Sequence, residues 1–213
     1  MARVRVVVRV ANCAGVTAPR NARYVARQAL AKPGVHGVPD LVLLSEVSPV
    51  SVAEVARHHA AGAYVVQRGR VGSPEAGVAV VSRLPIRPKR SIVGSLAVRG
   101  KVRMRPILGA RIGRLSVWAI HAPPGRAPVA RALYIARARR RGGLCGGDWN
   151  QPPRWMRRTT RRKYRGLPGD VLGLMIPRRY RASKAVGVDI GSDHPAADVV
   201  VHIPAWRLRR ARP

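Results

Sequence analysis

The sequence contains no phenylalanine and few cysteines. Its two cysteines, Cys13 and Cys145, are too few for a disulfide framework and are not spaced like the ligands of a zinc site. We therefore expect both to be reduced thiols in the core.

Long apolar runs are also missing. Residues 4–10 are apolar but are interrupted by Arg5 and Arg9, so they do not form the continuous apolar segment of a signal peptide. No other run is long enough to span a membrane. These absences predict a cytoplasmic protein without a membrane span.

Acidic residues are scarce. Lysine and arginine number 41 against 9 aspartates and glutamates, which gives a formal net charge of +32, and most of the excess is arginine. A codon-composition bias is the alternative explanation, but such a bias should enrich aspartate and glutamate as well. The charge therefore favours a polyanionic partner, with nucleic acid first and an anionic membrane surface second.

The length and apolar content fit one globular domain. The chain has 213 residues, 46% of them hydrophobic, which is enough for a substantial core. We assign residues 1–204 to a single domain and residues 205–213 to a basic, mobile C-terminal tail. We find no internal repeat or linker, and we expect a monomer.

The local patterns predict strands and helices in alternation, followed by a run of strands. Strands are predicted over residues 3–10 (ending at Asn12), 40–44, 63–66, 77–82, 91–98, 105–112, 115–121, 144–150, 171–176 and 197–203. Helices are predicted over residues 19–31, 48–61 and 128–140, and a basic segment over residues 152–165. This mixture predicts an α/β or α+β layered domain, with its chemistry on loops along one edge.

The few carboxylates adjoin apolar chain. Four of them lie at strand ends or turns: Glu46, Asp148, Asp170 and Asp193. Residues i and i+2 of a strand share a face, so we expect Asp148 and Asn150 to point into one cavity. Asp193 and the adjacent His194 can reach one site only where the chain bends, and the flanking Gly191 and Pro195 favour a bend. The pattern predicts an oxygen-rich pocket.

Taken in order, these motifs resemble the endonuclease/exonuclease/phosphatase family, the exonuclease III and deoxyribonuclease I-like superfamily. They are Asn12, Ser45-Glu46, residues 77–86 (Gly-Val-Ala-Val-Val-Ser-Arg-Leu-Pro-Ile), His121, Gly147-Asp148-Trp149-Asn150, Asp170 and Ser192-Asp193-His194. Each string is short, but their order over nearly the whole chain is specific. The resemblance implies a four-layer sandwich of two packed mixed β-sheets flanked by helices.

The resemblance also implies a metal-dependent hydrolase. Glu46 would supply an oxygen ligand for Mg²⁺, or for Mn²⁺, with Asn12 and Asp193 as further contacts. Asp148 would orient or deprotonate the attacking water, and Asn150 would hold the phosphate or the same water.

Two histidines complete the implied site. His194 would contact the scissile phosphate or transfer a proton, with Asp170 fixing its tautomer. His121 ends a strand where the family often has a histidine near the phosphate, and a satisfied structural side chain is the alternative. The sequence departs from the family after His194, around Asp170, and after Asn12, where an acidic residue is common.

A basic segment with two aromatic residues follows the Asp148 motif. Its cations are Arg154, Arg157, Arg158, Arg161, Arg162, Lys163 and Arg165, interleaved with Trp155 and Tyr164. Arginine binds phosphate in a bidentate manner and aromatic rings stack on bases, so we interpret the segment as a nucleic-acid-binding surface rather than a merely solvated one.

These observations predict a metal-dependent nuclease, with DNA favoured over RNA as the substrate. A phosphatase or a phospholipid or inositol-phosphate phosphodiesterase of the same family is one alternative. A catalytically impaired nucleic-acid-binding protein is the other.

Overall fold

The computed structural model describes residues 2–13, 19–47, 56–57, 62–67, 77–98, 101–122, 143–160 and 163–209. Most of the helix predicted over residues 48–61 and the whole of that over 128–140 lie outside these ranges. Arg161 and Arg162 also lie outside them.

Strands dominate the described part of the chain. The strands are β1 (Arg3–Asn12), β2 (Leu41–Ser45), β3 (Gly62–Gln67), β4 (Gly77–Ser82), β5 (Arg87–Val98), β6 (Lys101–Ile112), β7 (Leu115–His121), β8 (Leu144–Asp148), β9 (Lys163–Gly166), β10 (Leu172–Ile176), β11 (Arg181–Ala182), β12 (Val186–Val188) and β13 (Ala196–Pro204). The helices are α1 (Pro19–Ala31), α2 (Pro153–Thr160) and α3 (Ala205–Leu208).

The strands form two sheets. Sheet 1 has the order β11, β13, β1, β2, β4, β3, with β12 also paired to β13, and sheet 2 has the order β5, β6, β7, β8, β10, β9. In each sheet one central pair is parallel, β1 with β2 and β7 with β8, and the other pairings are antiparallel. The two sheets therefore share one strand pattern, although the sequence showed no repeat.

The fold has four layers, in the order α1, sheet 1, sheet 2 and α2. Apolar side chains from both sheets form the central core, among them Val8, Leu43, Val117 and Leu174. A second cluster joins α1 to the outer face of sheet 1, and a third joins Met156 of α2 to the outer face of sheet 2. Both faces of the central strands are thus buried, which explains their almost continuous apolar sequences. The predicted fold class is confirmed.

A buried ion pair ties sheet 1 to its helix. Arg9 and Asp198 are both fully buried and form two hydrogen bonds, Nε to Oδ1 at 2.7 Å and Nη2 to Oδ2 at 2.8 Å. The remaining nitrogen of Arg9, Nη1, donates to the carbonyl oxygens of Gln28, Ala29 and Lys32 at the end of α1. This guanidinium neutralises a buried carboxylate and also caps a helix C-terminus, where a positive charge is stabilising.

Two segments have more structure than the sequence indicated. The basic segment contains α2 and β9, and β9 pairs antiparallel with β10. The tail begins with α3, whose chain is held by hydrogen bonds from Ala205 N to Ala2 O at 3.0 Å and from Arg114 N to Arg207 O at 2.7 Å. Residues 205–208 are therefore attached to the domain as a short helix, where the sequence predicted a mobile tail.

Candidate active site

The functional side chains converge at one edge of the sandwich. The two parallel pairs run in register to Asn12 opposite Ser45 and to His121 opposite Asp148. The two ends meet, because Asn12 Nδ2 donates to Asp148 Oδ2 at 3.0 Å. We call this side of the molecule the carboxyl edge, after the C-terminal ends of β1, β2, β7 and β8.

Asp148 lies at the centre of the edge and is buried. Its Oδ1 accepts a hydrogen bond from Asn150 N at 2.8 Å, and its Oδ2 accepts the one from Asn12. Burial raises the pKa of Asp148 above its ordinary value, opposed by these two hydrogen bonds and by the charge of His194. The structure thus holds a carboxylate whose proton affinity is increased by desolvation.

Gly147 allows strand β8, which carries Asp148, to lie close to strand β7. Its φ of 151° is rare for residues with a side chain, and a Cβ atom would overlap the carbonyl oxygen of Ile120 on β7. Glycine before Asp148 therefore permits the close approach of the two parallel strands.

Glu46 and His121 lie beside Asp148. His121 Nε2 is 3.3 Å from Glu46 Oε1 and 4.0 Å from Asp148 Oδ2. Glu46 follows β2 with a positive φ of 53°, a left-handed conformation that is uncommon outside glycine. One ligand atom from each of the three side chains lies within 4.8 Å of the others. Such convergence of two carboxylates and an imidazole suits a divalent cation.

The predicted shared strand face for Asp148 and Asn150 is wrong. Strand β8 ends at Asp148, and Asn150 lies in a turn with a φ of 49°. Its side-chain Nδ2 donates to Ala122 O at 2.8 Å, while its backbone N–H contacts Asp148. Asn150 is at the site, but it reaches Asp148 through the turn and not through strand alternation. Trp149 between them is buried in the outer cluster.

His194 and Asp170 form a second pair near the cluster. His194 Nδ1 is 3.5 Å from Asp170 Oδ1, and Asp170 Oδ1 also accepts a hydrogen bond from Leu172 N at 3.0 Å. The side chain of His194 is 35% exposed, whereas that of Asp170 is 8% exposed. The imidazole is thus half-open to solvent, with one nitrogen facing a buried carboxylate.

Asp193 lies apart from the three-residue cluster. Its side chain is 62% exposed, and its Oδ2 is 3.8 Å from His194 Nε2. The neighbouring Ser192, which sequence reasoning used only as part of a motif, donates its hydroxyl to Asn12 O at 2.6 Å, and its Oγ also lies 3.1 Å from Asp193 Oδ1. Ser192 therefore ties the loop of His194 to the end of β1.

Cys13 adjoins the site but is not a reactive thiol. It is buried and forms no disulfide, and the same holds for Cys145. Burial raises the pKa of Cys13 to about 12, and the charge of Glu46 adds to this effect. Because a neutral thiol is a poor nucleophile and metal ligand, Cys13 serves as a small core side chain.

The basic segment is divided by the fold. Arg154, Arg157 and Arg158 are exposed on α2, which begins just after Asn150. Lys163 and Arg165 are partly buried in β9, and Lys163 Nζ donates to Tyr180 O at 2.7 Å. Tyr164 is fully buried, so it has no exposed face for base stacking.

A family comparison agrees with this geometry. The sequence profile of the Endonuclease/Exonuclease/phosphatase family matches residues 10–209. The chain belongs to the endonuclease/exonuclease/phosphatase family. No curated protein sequence matches the chain.

Several solved structures share the fold of this chain. An endonuclease/exonuclease/phosphatase from Beutenbergia cavernae has a TM-score of 0.67 at 16% identity, covering 95% of this chain and 72% of that one. The human Nocturnin catalytic domain with bound sulfate scores 0.63 at 12% identity, with 94% and 96% covered. TDP2 from D. rerio with a single-strand DNA product scores 0.58 at 12% identity, with 94% and 99% covered.

Within the described ranges, no helix combines the length and apolarity that crossing a membrane requires.

Proposed function

We propose that the chain is a nuclease that hydrolyses phosphodiester bonds of nucleic acid, preferably DNA, with the help of Mg²⁺ or Mn²⁺. The observation that carries the proposal is the convergence of Glu46, His121 and Asp148 at the carboxyl edge, beside the His194 and Asp170 pair. A pure binding protein gains nothing from carboxylates that face a phosphate, because they repel it.

The residues fit a hard divalent cation. Two carboxylates lie close together beside a buried imidazole, and Asp148 is desolvated, so a cation there would relieve an unfavourable concentration of negative charge. Glu46 would hold it, with Asn12 at the end of the neighbouring strand β1, and Asp148 would lie beside it. Asp193 remains a proposed ligand of the cation, and its exposed side chain would have to move toward the cation to bind it. When bound, the cation would neutralise phosphate charge and polarise the phosphate oxygens.

Asp148 is the residue best placed to align and deprotonate the attacking water. Hydrogen bonds from Asn12 and Asn150 fix both of its carboxylate oxygens. A base is most effective when its pKa approaches the working pH, and burial moves the pKa of Asp148 in that direction. We assign Asn150 to holding this carboxylate, and contact between its amide and substrate remains a proposal.

His194 would transfer a proton to the leaving oxygen or donate a hydrogen bond to the phosphate. Asp170 faces Nδ1, which leaves Nε2 directed away from the buried carboxylate. A carboxylate in this position stabilises the charged imidazolium and fixes the ring orientation. His121, which is almost fully buried, would position Glu46 rather than touch the leaving group.

The substrate assignment rests on charge. The net charge of +32 and the exposed arginines of α2 favour a long polyanion over a small phosphorylated molecule. TDP2 from D. rerio, which shares the fold, has been crystallised with a single-strand DNA product. Cys13 and Cys145 are buried and form no disulfide, which suits a reducing compartment, so we also propose a cytoplasmic location. A monomer remains part of the proposal.

The test is cleavage of supercoiled plasmid and of labelled single- and double-stranded DNA and RNA oligonucleotides with Mg²⁺, Mn²⁺ or EDTA. Asp148→Asn and His194→Ala should abolish cleavage that the unaltered protein performs only with metal. Asp40→Asn and His202→Ala are matched controls, because both residues lie far from the carboxyl edge, and Asp40 accepts a hydrogen bond from Val7 N that asparagine preserves.

Equal cleavage by Asp148→Asn would show that a contaminant is responsible. Salt-sensitive binding without cleavage under any metal would refute the nuclease and favour a binding protein. Cleavage of phospholipids or inositol phosphates alone would favour the phosphatase branch of the family.

A further inference from the structure

A second cluster of cations lies at the edge opposite the active site. Strand β7 starts at this edge with Leu115 and ends at the carboxyl edge with His121. Six residue steps of about 3.3 Å each separate these ends by roughly 20 Å. We call the cluster the distal arginine face, and it consists of Arg87, Arg111, Arg114, Arg207 and Arg209.

The fold brings these arginines together from separate segments. Arg87 of β5 lies directly opposite Arg111 of β6. Arg114 is in the turn between β6 and β7 and donates its backbone N–H to Arg207 O at 2.7 Å. Gly113 of the same turn packs against the backbone of Leu208 and Arg209. Four of the five side chains are exposed, and Arg207 is partly buried.

Their charges are not neutralised by neighbouring acids. Among the residues that the structure describes, no carboxylate lies within ion-pair distance of these five guanidinium groups. Asp40 is the one acidic residue of the described ranges at this edge, and it belongs to sheet 1, where it accepts a hydrogen bond from Val7. Arg207 instead lies over the ring of Trp206, 4.4 Å from its centroid.

The arrangement opposes stability. Like charges directly opposite each other on antiparallel strands are destabilising, as for Arg87 and Arg111. Exposed guanidinium groups that lie at one edge are suited to bidentate contacts with successive phosphates. A lipid surface would also attract them, but the net charge of +32 and the proposed nucleic-acid substrate favour a long polyanion as the occupant.

We propose that the distal arginine face is a second binding site for the nucleic-acid backbone, separate from the catalytic cluster. It holds a part of a long substrate that the active site does not touch. At 3.4 Å per nucleotide step, the roughly 20 Å between the two edges corresponds to about six steps of a duplex strand. The face therefore acts on long substrates and not on very short ones. This inference rests on the proposed nucleic-acid substrate but not on hydrolysis.

The test compares two triple variants of equal charge. The distal variant carries Arg87→Gln, Arg111→Gln and Arg114→Gln. The control variant carries Arg27→Gln, Arg57→Gln and Lys184→Gln, which are exposed residues on or beside the layer of sheet 1 and α1. Binding of a labelled 30-base-pair duplex is measured by fluorescence anisotropy in EDTA over a series of NaCl concentrations. Hydrolysis of a trinucleotide and of bis(p-nitrophenyl) phosphate is measured with Mg²⁺ or Mn²⁺.

The distal variant should bind the duplex about tenfold or more weakly than the control variant, and the slope of log K against log salt should fall by roughly 2 to 3. Its turnover of the two small substrates should be unchanged. The control variant should have the melting temperature of the unaltered protein. The melting temperature of the distal variant should be the same or higher, because the repulsion between Arg87 and Arg111 is gone.

Equal affinities and slopes for the two variants would overturn the proposal. Loss of binding to phosphatidylserine vesicles with unchanged duplex binding would also overturn it, in favour of a membrane surface. Weakened duplex binding in a protein that cleaves nothing would uphold the distal face and refute the proposed nuclease.

Discussion

Two groups of polar side chains differ in how their charges are arranged. Arg9 and Asp198 neutralise each other, and the guanidinium uses its remaining hydrogens on three helix-end carbonyl groups. At the carboxyl edge, two carboxylates, Asp148 and Glu46, lie close together beside the imidazole of His121.

The difference separates stability from function. A neutralised ion pair holds the fold together, whereas crowded carboxylates are unfavourable until a cation binds. Substitution in the first group should therefore affect folding, and substitution in the second should affect catalysis. The predictions below test that separation, from the largest expected effect to the smallest.

Asp148→Asn should lower kcat/KM for a DNA oligonucleotide by about 10²- to 10⁴-fold, the usual contribution of a positioned acid or base. The fold should survive, because asparagine can accept from Asn150 while the Asn12 amide turns to accept from it. Steady-state kinetics beside a circular dichroism spectrum measures both. Loss of the native spectrum would assign Asp148 to the structural group.

Asp198→Asn should lower the free energy of unfolding by about 3–5 kcal/mol, because it leaves the charge of Arg9 buried without a counter-ion. Urea denaturation measures the change, with Asp40→Asn as the control. If the two variants were equally stable, the buried pair would not hold sheet 1 to α1.

Mg²⁺ should stabilise the protein by an amount that grows with the logarithm of its concentration above Kd. At ten times its Kd, a cation that binds only the folded state adds about 1.4 kcal/mol. The melting temperature should rise with Mg²⁺ in the unaltered protein and not in Glu46→Gln. A rise of equal size in both proteins would place the cation elsewhere.

Without metal, Asp148→Asn should be more stable than the unaltered protein at neutral pH. The pKa of Asp148 is raised in the folded state, so between the unfolded and the folded pKa the folded protein binds more protons at Asp148 than the unfolded chain does. The stability of the unaltered protein therefore falls as the pH rises from the unfolded pKa through the folded pKa. The advantage of the variant should shrink as pH falls toward about 4, the ordinary range of aspartate. Melting temperatures of both proteins in EDTA, between pH 4 and pH 8, measure this difference. A difference of 1 kcal/mol corresponds to a shift of roughly 2–4 °C.

The sequence predicted the elements that have strong local signals. Helix α1 and strands β4 and β7 have the predicted limits, because capping residues or apolar runs mark them. Strand β9 was missed since only Tyr164 in it is fully buried, and the short edge strands β11 and β12 have too few residues for a pattern. Local patterns do not register such tertiary pairing.

The same limit applies to the polar residues. Glu46, Asp148 and His194 were predicted to be site residues because each stands in a motif, and the structure places them at one edge. Arg9 was interpreted only as an interruption of an apolar strand, because its partner Asp198 is 189 positions away. The orientation of Asn150 depends on its positive φ, which strand periodicity does not predict.

The position of β13 in sheet 1 affects how the protein folds during synthesis. Strand β1 pairs with β13 over eight positions, from Arg3 opposite Pro204 to Val10 opposite Ala197. Until the ribosome has made the last strand, β1 has an open edge and Arg9 has no counter-ion. Contacts of such large sequence separation slow folding, and an unpaired apolar edge is prone to aggregation. Nascent chains that stop before β13 should therefore depend on chaperones, and complete chains should not.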